Sequence, residues 1–304
     1  MIRAANAPCS FGMVTGAGDP DHAAWEQVLD EIAEAGYEGT ELGDWGFMPE
    51  DPDLVRAELA RRRLAMAGAF VPVRLADPSL HAAAEDFALR TARLLAGCVR
   101  GTPEEGLPFV ILADDPVADP VRTANAGRIR PEHGWTRDQW QAAAAGCDRL
   151  ARAVKDQTGL RTAFHHHGAS FVETPSEIET LLDLTDSALL GLCLDTGHYE
   201  FAGGDAREAA QRFAGRIWHV HFKDCDPAAM ERARRERWDY PEALRRGVFR
   251  GLGEGVVANS AVLDGLRRLD YSGWIVVENE APPGGTTPLQ RALADRDYLR
   301  GLGL

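Results

Sequence analysis

Residues 189–224 read LLGLCLDTGHYEFAGGDAREAAQRFAGRIWHVHFKD and contain two apolar runs, Leu189–Asp195 and Arg216–Phe222. Both runs are almost continuously apolar, which is typical of strands buried on both faces of a parallel sheet that helices cover. Each run also ends in side chains that carry chemistry, an aspartate in the first and two histidines in the second. This stretch therefore predicts two neighbouring strands of an α/β protein.

The same pattern of short apolar runs recurs along the rest of the chain. Because such runs alternate with longer amphipathic segments, we interpret each of them as a further strand of the same sheet. The six further predicted strands are Ile2–Pro8, Gly36–Leu42, Leu64–Val71, Pro108–Ala113, Leu160–His166 and Trp274–Glu278.

The segments between these runs have a helical period. Trp25, Val28, Leu29, Ile32 and Ala33 follow the i, i+3, i+4, i+7, i+8 spacing of one helix face. Two capping boxes, one beginning at residue 136 and one at residue 174, predict where helices start, since a threonine is followed three residues later by glutamine or glutamate. Helices therefore separate the strands.

Eight βα units in a chain of 304 residues predict a (β/α)8 TIM barrel of the α/β class, with residues 1–304 as a single domain. A doubly wound open sheet is the competing arrangement, but no glycine-rich phosphate loop of the expected spacing follows the first predicted strand. Two long connections, 114–135 and 224–256, leave the carboxyl ends of strands, where barrel active sites lie, and either could cover the site.

The composition narrows the classes of partner. Lysine and arginine number 33 against 47 aspartates and glutamates, a formal charge of −14, which disfavours nucleic acid. The five cysteines are few, odd in number and widely spaced, which indicates reduced thiols. No signal peptide or membrane-spanning run is evident, so we expect a cytoplasmic protein that binds a small molecule and no membrane. We also expect a homo-oligomer, the common state of soluble enzymes.

Side chains that can bind metal or move protons gather at the predicted strand ends. Strand alternation places His165 with His167, His219 with His221 and Lys223, and Glu278 with Glu280. Each alone is typical of an ordinary core or surface group. Because four consecutive strands would aim imidazoles and carboxylates at one point, we expect a site for a borderline divalent cation such as Mn²⁺, Co²⁺, Fe²⁺ or Zn²⁺.

Aromatic residues near the same ends allow two interpretations. They could line a pocket for a sugar ring, or they could pack helices against the barrel, and the sequence does not choose between these roles. The residues are Phe11, Trp45, Phe47, Phe70 and Trp135, of which we predict Phe70 and Trp45 as substrate contacts.

With these residues, the sequence resembles the sugar phosphate isomerase/epimerase superfamily of xylose isomerase-like barrels and, within it, the inosose dehydratase family. The resemblance spans nearly the whole chain. It is carried by the stretches at 39–43 (GTELG), 122–125 (RTAN), 165–168 (HHHG), 194–198 (LDTGH), 202–205 (AGGD), 219–224 (HVHFKD) and 273–278 (GWIVVE).

The resemblance implies one divalent metal, with Mn²⁺ expected and Co²⁺, Fe²⁺, Zn²⁺ or Mg²⁺ as alternatives. Members hold it with residues on strands five to eight, which implies Asp195, His221 and Glu278 here. On strand five the chain departs from the usual carboxylate. There His165 occupies the carboxylate position, with His167 or Glu173 as alternative fourth ligands.

The implied activity is dehydration of a polyhydroxy ketone, such as a keto-cyclitol like 2-keto-myo-inositol or a keto-sugar, through an enediolate. The base is Glu41, Glu280 or a histidine, and His198 and Lys223 are candidates for the acid or for holding substrate oxygens. We expect His167 and Arg122 to contact substrate as well.

Several alternatives remain at this stage. A keto-sugar isomerase or 3-epimerase, or an enzyme that eliminates from oxidised C-glycosides, would use the same first half of the reaction. Phosphodiester cleavage is disfavoured by the negative charge. A non-catalytic sugar-binding barrel is the remaining class.

Overall fold

The computed structural model describes residues 1–12, 24–101, 106–282 and 285–304. The strands are β1 Ile2–Asn6, β2 Gly39–Glu41, β3 Ala65–Val73, β4 Phe109–Asp114, β5 Arg161–His165, β6 Leu190–Asp195, β7 Ile217–Phe222, β8 Asp224–Cys225, β9 Phe249–Arg250 and β10 Gly273–Val277. Eight of them are parallel and close into a barrel in the order β1-β10-β7-β6-β5-β4-β3-β2, which confirms the predicted (β/α)8 architecture.

Helices connect the strands and pack around the barrel. They are α1 Trp25–Ala35, α2 Pro52–Arg62, α3 His81–Cys98, α4 Pro120–Asn125, α5 Arg137–Thr158, α6 Pro175–Leu184, α7 Thr196–Phe201, α8 Ala206–Arg212, α9 Pro227–Glu236, α10 Tyr240–Arg245, α11 Asn259–Arg268 and α12 Pro288–Gly301. Across the described ranges, none of them has both the length and the apolar character that crossing a bilayer requires. Both predicted capping boxes are present, with Thr136 and Thr174 accepting hydrogen bonds at the starts of α5 and α6.

The two long connections lie together at the carboxyl end of the barrel. The first, 114–135, contains α4, and the second, 224–256, contains α9, α10 and the antiparallel pair β8–β9. Arg128 of the first donates to the carbonyl oxygens of Ala233 and Trp238 in the second, at 3.1 and 2.9 Å. These bonds join the two connections on the side of the barrel that holds the strand ends.

Inward-facing side chains fill the barrel beneath those ends. Ala5, Ala67 and Val276 pack with Trp274 in one buried cluster, and Ile111 packs with Ala163 and Cys193 in another. Such buried apolar layers are typical of the interior of a closed barrel.

Gly191 provides a test of packing in β6. A Cβ built there would lie 2.1 Å from Trp218 Cδ2, whereas one built on Gly215 would meet no atom within 4 Å. We expect Gly191→Ala to lower the free energy of unfolding by about 1–3 kcal/mol, because the indole must move, and Gly215→Ala to have a much smaller effect. Urea unfolding of both variants measures the difference. Equal stability of the two would contradict this packing.

Candidate metal centre and active site

Four side chains from neighbouring strands meet inside the carboxyl end of the barrel. His165 ends β5, Asp195 ends β6, His221 lies in β7, and Glu278 follows β10. One ligand atom from each lies within 4.8 Å of the ligand atoms of the other three. The side chains of the two histidines are 2% exposed, that of Asp195 0% and that of Glu278 12%, so the group is shielded from water.

Four polar atoms of this group are buried without a hydrogen-bond partner among the described residues. They are His165 Nδ1 and Nε2, Asp195 Oδ2 and His221 Nδ1. His165 Nε2 lies 3.5 Å from Asp195 Oδ2, and His221 Nδ1 lies 3.2 Å from Glu278 Oε1. Unpaired buried acceptors are costly, and a divalent cation with mixed nitrogen and oxygen ligands would satisfy them together. The residues therefore fit the metal that the sequence predicts.

Burial keeps the imidazole of His165 suitable for this purpose. Burial, together with neighbouring His221, lowers the pKa of His165 to about 3, so the ring is neutral near pH 7 and keeps a lone pair for a cation. The side chain of Asp195 is fixed by a backbone hydrogen bond. Its Oδ1 accepts from the His198 N–H at 2.7 Å and so caps α7. Its other oxygen is left for the shared site.

Lys223 lies beside the four as a fully buried cation. Its Nζ is 3.0 Å from Glu278 Oε2, 3.2 Å from Glu280 Oε1 and 3.8 Å from Asp195 Oδ2. Burial alone would lower the pKa of Lys223, but Glu280, Glu278 and Asp195 together raise it well above its usual range. Lys223 is therefore charged and binds Glu280 to the centre.

The Asp-Thr-Gly stretch supports this lysine through local geometry. Thr196 Oγ1 donates to the Lys223 carbonyl at 3.0 Å and accepts from its N–H at 3.1 Å. A Cβ on Gly197 would lie 2.6 Å from Lys223 Cβ, so only glycine lets the lysine stem pass. Adjacent residues of one turn thus serve both the Asp195 and the Lys223 positions.

His198 and His167 lie near both Lys223 and His165, whose ring is 5.6 Å from that of His198 and 5.7 Å from that of His167. Their ring centres are 4.0 Å apart. His198 has the Gly168 N–H 3.3 Å from Nδ1 and Lys223 Nζ 3.3 Å from Nε2. A neutral imidazole has one lone pair, so only one of these contacts is a hydrogen bond. Burial lowers the pKa of both rings, that of His167 to about 4, and both are neutral near pH 7.

Glu41 contacts two histidines of β7. Its Oε1 is 2.8 Å from His219 Nε2 and 3.0 Å from His221 Nε2, so it contacts the edge of His221 that faces away from Asp195 and Glu278. Burial raises the pKa of Glu41, but His221 and His219 outweigh it and lower the pKa to about 2. Glu41 is one of the candidate bases named from the sequence. Its Oε1 already accepts from two histidine ring nitrogens.

The two aromatic residues that we predict as substrate contacts lie in different places. Phe70 lies with its ring 5.9 Å from that of His165, beside the converging group. Trp45 instead packs on α3, where its ring contacts Phe87 at 6.0 Å and lies under Arg90. The structure therefore does not place Trp45 in the pocket.

The remaining aromatic residues also pack rather than line a mouth. Trp135 stacks on Phe171 with ring centres 5.1 Å apart and meets Trp140 edge-on. Phe11 is 4% exposed in the main core, and Phe47 packs against the same core. Helix and loop packing explains these three positions.

Arg122, which we expect to contact substrate, makes its observed contacts within the protein. Arg122 is fully buried, its Nε donates to the Ser170 carbonyl at 2.7 Å, and its two terminal nitrogens bind Glu177 at 2.7 and 3.0 Å. The guanidinium is thus used within the protein, where it joins α4 to the turn after β5.

The alternative fourth ligand Glu173 also has another role. Its two oxygens accept from the backbone N–H groups of Gly127 and Ala169, both at 2.7 Å. It is absent from the converging group of described residues, in which His165 takes part. Glu173 therefore connects the 114–135 connection to the turn after β5.

Sequence reasoning missed Tyr240. This residue, the first of α10, is 3% exposed, and its hydroxyl has no partner among the described residues. Its ring lies 5.5 Å from that of His167 and 6.4 Å from that of His198. A Cβ on Gly168 would approach Tyr240 Cε2 to 2.8 Å, so that glycine admits the ring. The only signal was the length of the connection that carries it.

Comparisons with known proteins agree with the barrel fold described above. Residues 29–302 match the family described as Xylose isomerase-like TIM barrel. The chain is 32% identical over 282 residues to an inosose dehydratase of Geobacillus kaustophilus, covering 92% of this chain and 87% of that enzyme. An L-ribulose 3-epimerase structure superimposes with a TM-score of 0.69 at 18% identity, covering 100% of this chain and 95% of the other. The IolI protein with a bound zinc atom gives 0.71 at 14% identity, covering 99% and 97%.

The buried Arg122–Glu177 pair can be tested against an exposed arginine of the same connection. We expect Arg122→Met to lower the free energy of unfolding by about 3 kcal/mol, because Glu177, whose side chain is 12% exposed, loses its ion pair and keeps the backbone N–H groups of Glu173 and Thr174 as donors. Arg130, whose side chain is 72% exposed, supplies the control Arg130→Met, with little effect expected. Urea unfolding measures both. Equal losses would return Arg122 to consideration as a substrate contact.

Proposed function

Because the chain belongs to the Xylose isomerase-like TIM barrel family, we propose that it is a divalent-metal-dependent dehydratase of 2-keto-myo-inositol or a closely related keto-cyclitol. The observation that carries the proposal is the convergence of four ligand groups beside the fully buried Lys223, which pairs with Glu280. The inosose dehydratase that is 32% identical to this chain over 282 residues supports the choice of substrate.

The proposed cation is held by His165, Asp195, His221 and Glu278, with Mn²⁺ as the first candidate. The zinc atom in the related IolI structure supports a divalent ion of this kind. When bound, such an ion supplies Lewis acidity that polarises a ketone and lowers the cost of removing a proton from the adjacent carbon.

The charge around the centre favours an uncharged substrate. Glu41, Asp195, Glu278 and Glu280 bring carboxylates to one end of the barrel, and the cation in contact with them is Lys223. Even when a divalent ion is bound, the positive charge of the ion and Lys223 together does not exceed the negative charge of the four carboxylates. A phosphate or carboxylate on the substrate would be repelled, whereas the hydroxyls of a cyclitol would find acceptors and donors.

Glu280 and Lys223 can together carry the proton transfers of a dehydration. Glu280 is 22% exposed, the most accessible carboxylate here, and is suited to take the proton from the carbon next to the ketone. Lys223 donates a proton to the departing hydroxyl, which leaves as water. The proton on Glu280 then returns to Lys223 across 3.2 Å, which restores both groups. Neutral His167 and His198 and the unpartnered Tyr240 hydroxyl hold substrate oxygens nearby.

A keto-sugar 3-epimerase is the second candidate. The fold likeness to an L-ribulose 3-epimerase favours it, and the two reactions share removal of the proton next to the ketone. Elimination from an oxidised C-glycoside has less support, because Trp45 and Trp135, which would line a wide mouth, pack on α3 and on Phe171 and Trp140 instead.

The reaction can be tested with protein freed of metal by a chelator and reloaded with Mn²⁺, Co²⁺ or Zn²⁺. We expect reloaded protein to convert 2-keto-myo-inositol to an enolised dione, detected by its absorbance, and the metal-free protein to be inactive. Solvent deuterium entering the substrate without loss of water would favour the epimerase instead. Absence of both reactions with every ion would remove the proposed function.

The role of Glu280 predicts a separation of catalysis from metal binding. We expect Glu280→Gln to lower kcat by about 10²–10⁴-fold, because the base is lost, with cation affinity largely retained. Glu278→Gln, two residues earlier at the end of the same strand, should instead weaken cation binding. Turnover and chelator competition distinguish the two variants. A Glu280→Gln variant that still exchanges the substrate proton at the normal rate would exclude Glu280 as the base.

A further inference from the structure

We propose that Glu41 is a positioning residue that fixes which nitrogen of His221 faces the cation, and that His219 holds Glu41 in place. The inference rests on the cation site of the proposed function. It assigns Glu41 a role other than that of a base, and it makes the residues Glu41, His219 and His221 one hydrogen-bonded group, here called the β2–β7 triad.

The first step is the direction of the hydrogen bonds. Glu41 ends β2 and reaches across the barrel to β7, three places away in the strand order. Its Oε1 lies 2.8 Å from His219 Nε2 and 3.0 Å from His221 Nε2. An ionised carboxylate only accepts, so each of these ring nitrogens carries a hydrogen.

The second step concerns the other nitrogen of His221. A ring that binds a cation is neutral and carries one N–H, so a hydrogen on Nε2 leaves the lone pair on Nδ1. Nδ1 faces Glu278 Oε1 at 3.2 Å and Asp195 Oδ2 at 3.9 Å and has no hydrogen bond within the part of the chain that the structure describes. The opposite tautomer would set the Nε2 lone pair against the Glu41 oxygen. Glu41 therefore favours the tautomer whose lone pair points into the converging group.

The third step is the fixed position of Glu41 itself. The side chain is 4% exposed, and two histidine N–H groups converge on one of its oxygens. The His219 ring is held by contact with Phe109 and with His221, at ring-centre distances of 5.5 and 5.4 Å. A carboxylate so restrained fixes ring orientation as well as tautomer, as outer partners of metal-binding histidines do.

The test uses Glu41→Met, which removes both acceptor oxygens. Because His221 then loses its tautomer and orientation, we expect the Kd for Co²⁺ or Zn²⁺, measured by chelator competition, to rise about 10–100-fold. Glu41→Gln should recover most of the affinity, since its amide oxygen can accept from both rings. Asp114→Asn is the matched control, because it alters a buried carboxylate at the same barrel end that bonds Phe171 N–H instead.

A second measurement needs no variant and so does not depend on the folding of one. In the zinc-loaded protein labelled with ¹⁵N-histidine, we expect His221 to retain a slowly exchanging hydrogen on Nε2 and to bind metal through Nδ1. Metal on Nε2, or a Glu41→Met variant with the wild-type Kd, would overturn the positioning role while leaving the proposed function intact. Failure of the wild-type protein to bind any divalent cation would instead remove the proposed function.

Discussion

The main constraint on this structure is the free-energy cost of burying hydrogen-bond acceptors that have no donors. At the carboxyl end of the barrel, His165, Asp195 and His221 present buried nitrogen or oxygen atoms that no other described residue pairs. A folded protein retains such groups only where something compensates for the lost hydration. Parallel strands β5, β6, β7 and β10 are adjacent in the closed sheet, so the barrel itself brings these atoms together.

Much of this arrangement follows from sequence because it is set by local rules. Alternation along a strand determines which side chains face inward, and apolar runs locate the strands. The eight predicted strands and the grouping of His165, Asp195, His221 and Glu278 were accessible in this way. Lys223 was also accessible, since it continues the inward face of β7 and meets Glu278 and Glu280 as their spacing indicated.

Other parts of the site depend on contacts that no local rule determines. Glu41 meets β7 from three strands away, which follows only from the closure and stagger of the barrel. Arg122 belongs to the stretch at 122–125 that carries part of the family resemblance. Its guanidinium binds Glu177, because the fold brings α6 against its loop. Tyr240 reaches His167 from a long connection whose path has no periodic pattern. These positions required the three-dimensional structure.

Anomalous diffraction from crystals loaded with cobalt or zinc tests the central claim most directly. The account predicts one strong peak per chain, about 2.0–2.2 Å from ligand atoms of His165, Asp195, His221 and Glu278. A peak bound elsewhere, or no peak at full loading while these side chains keep their positions, would contradict it.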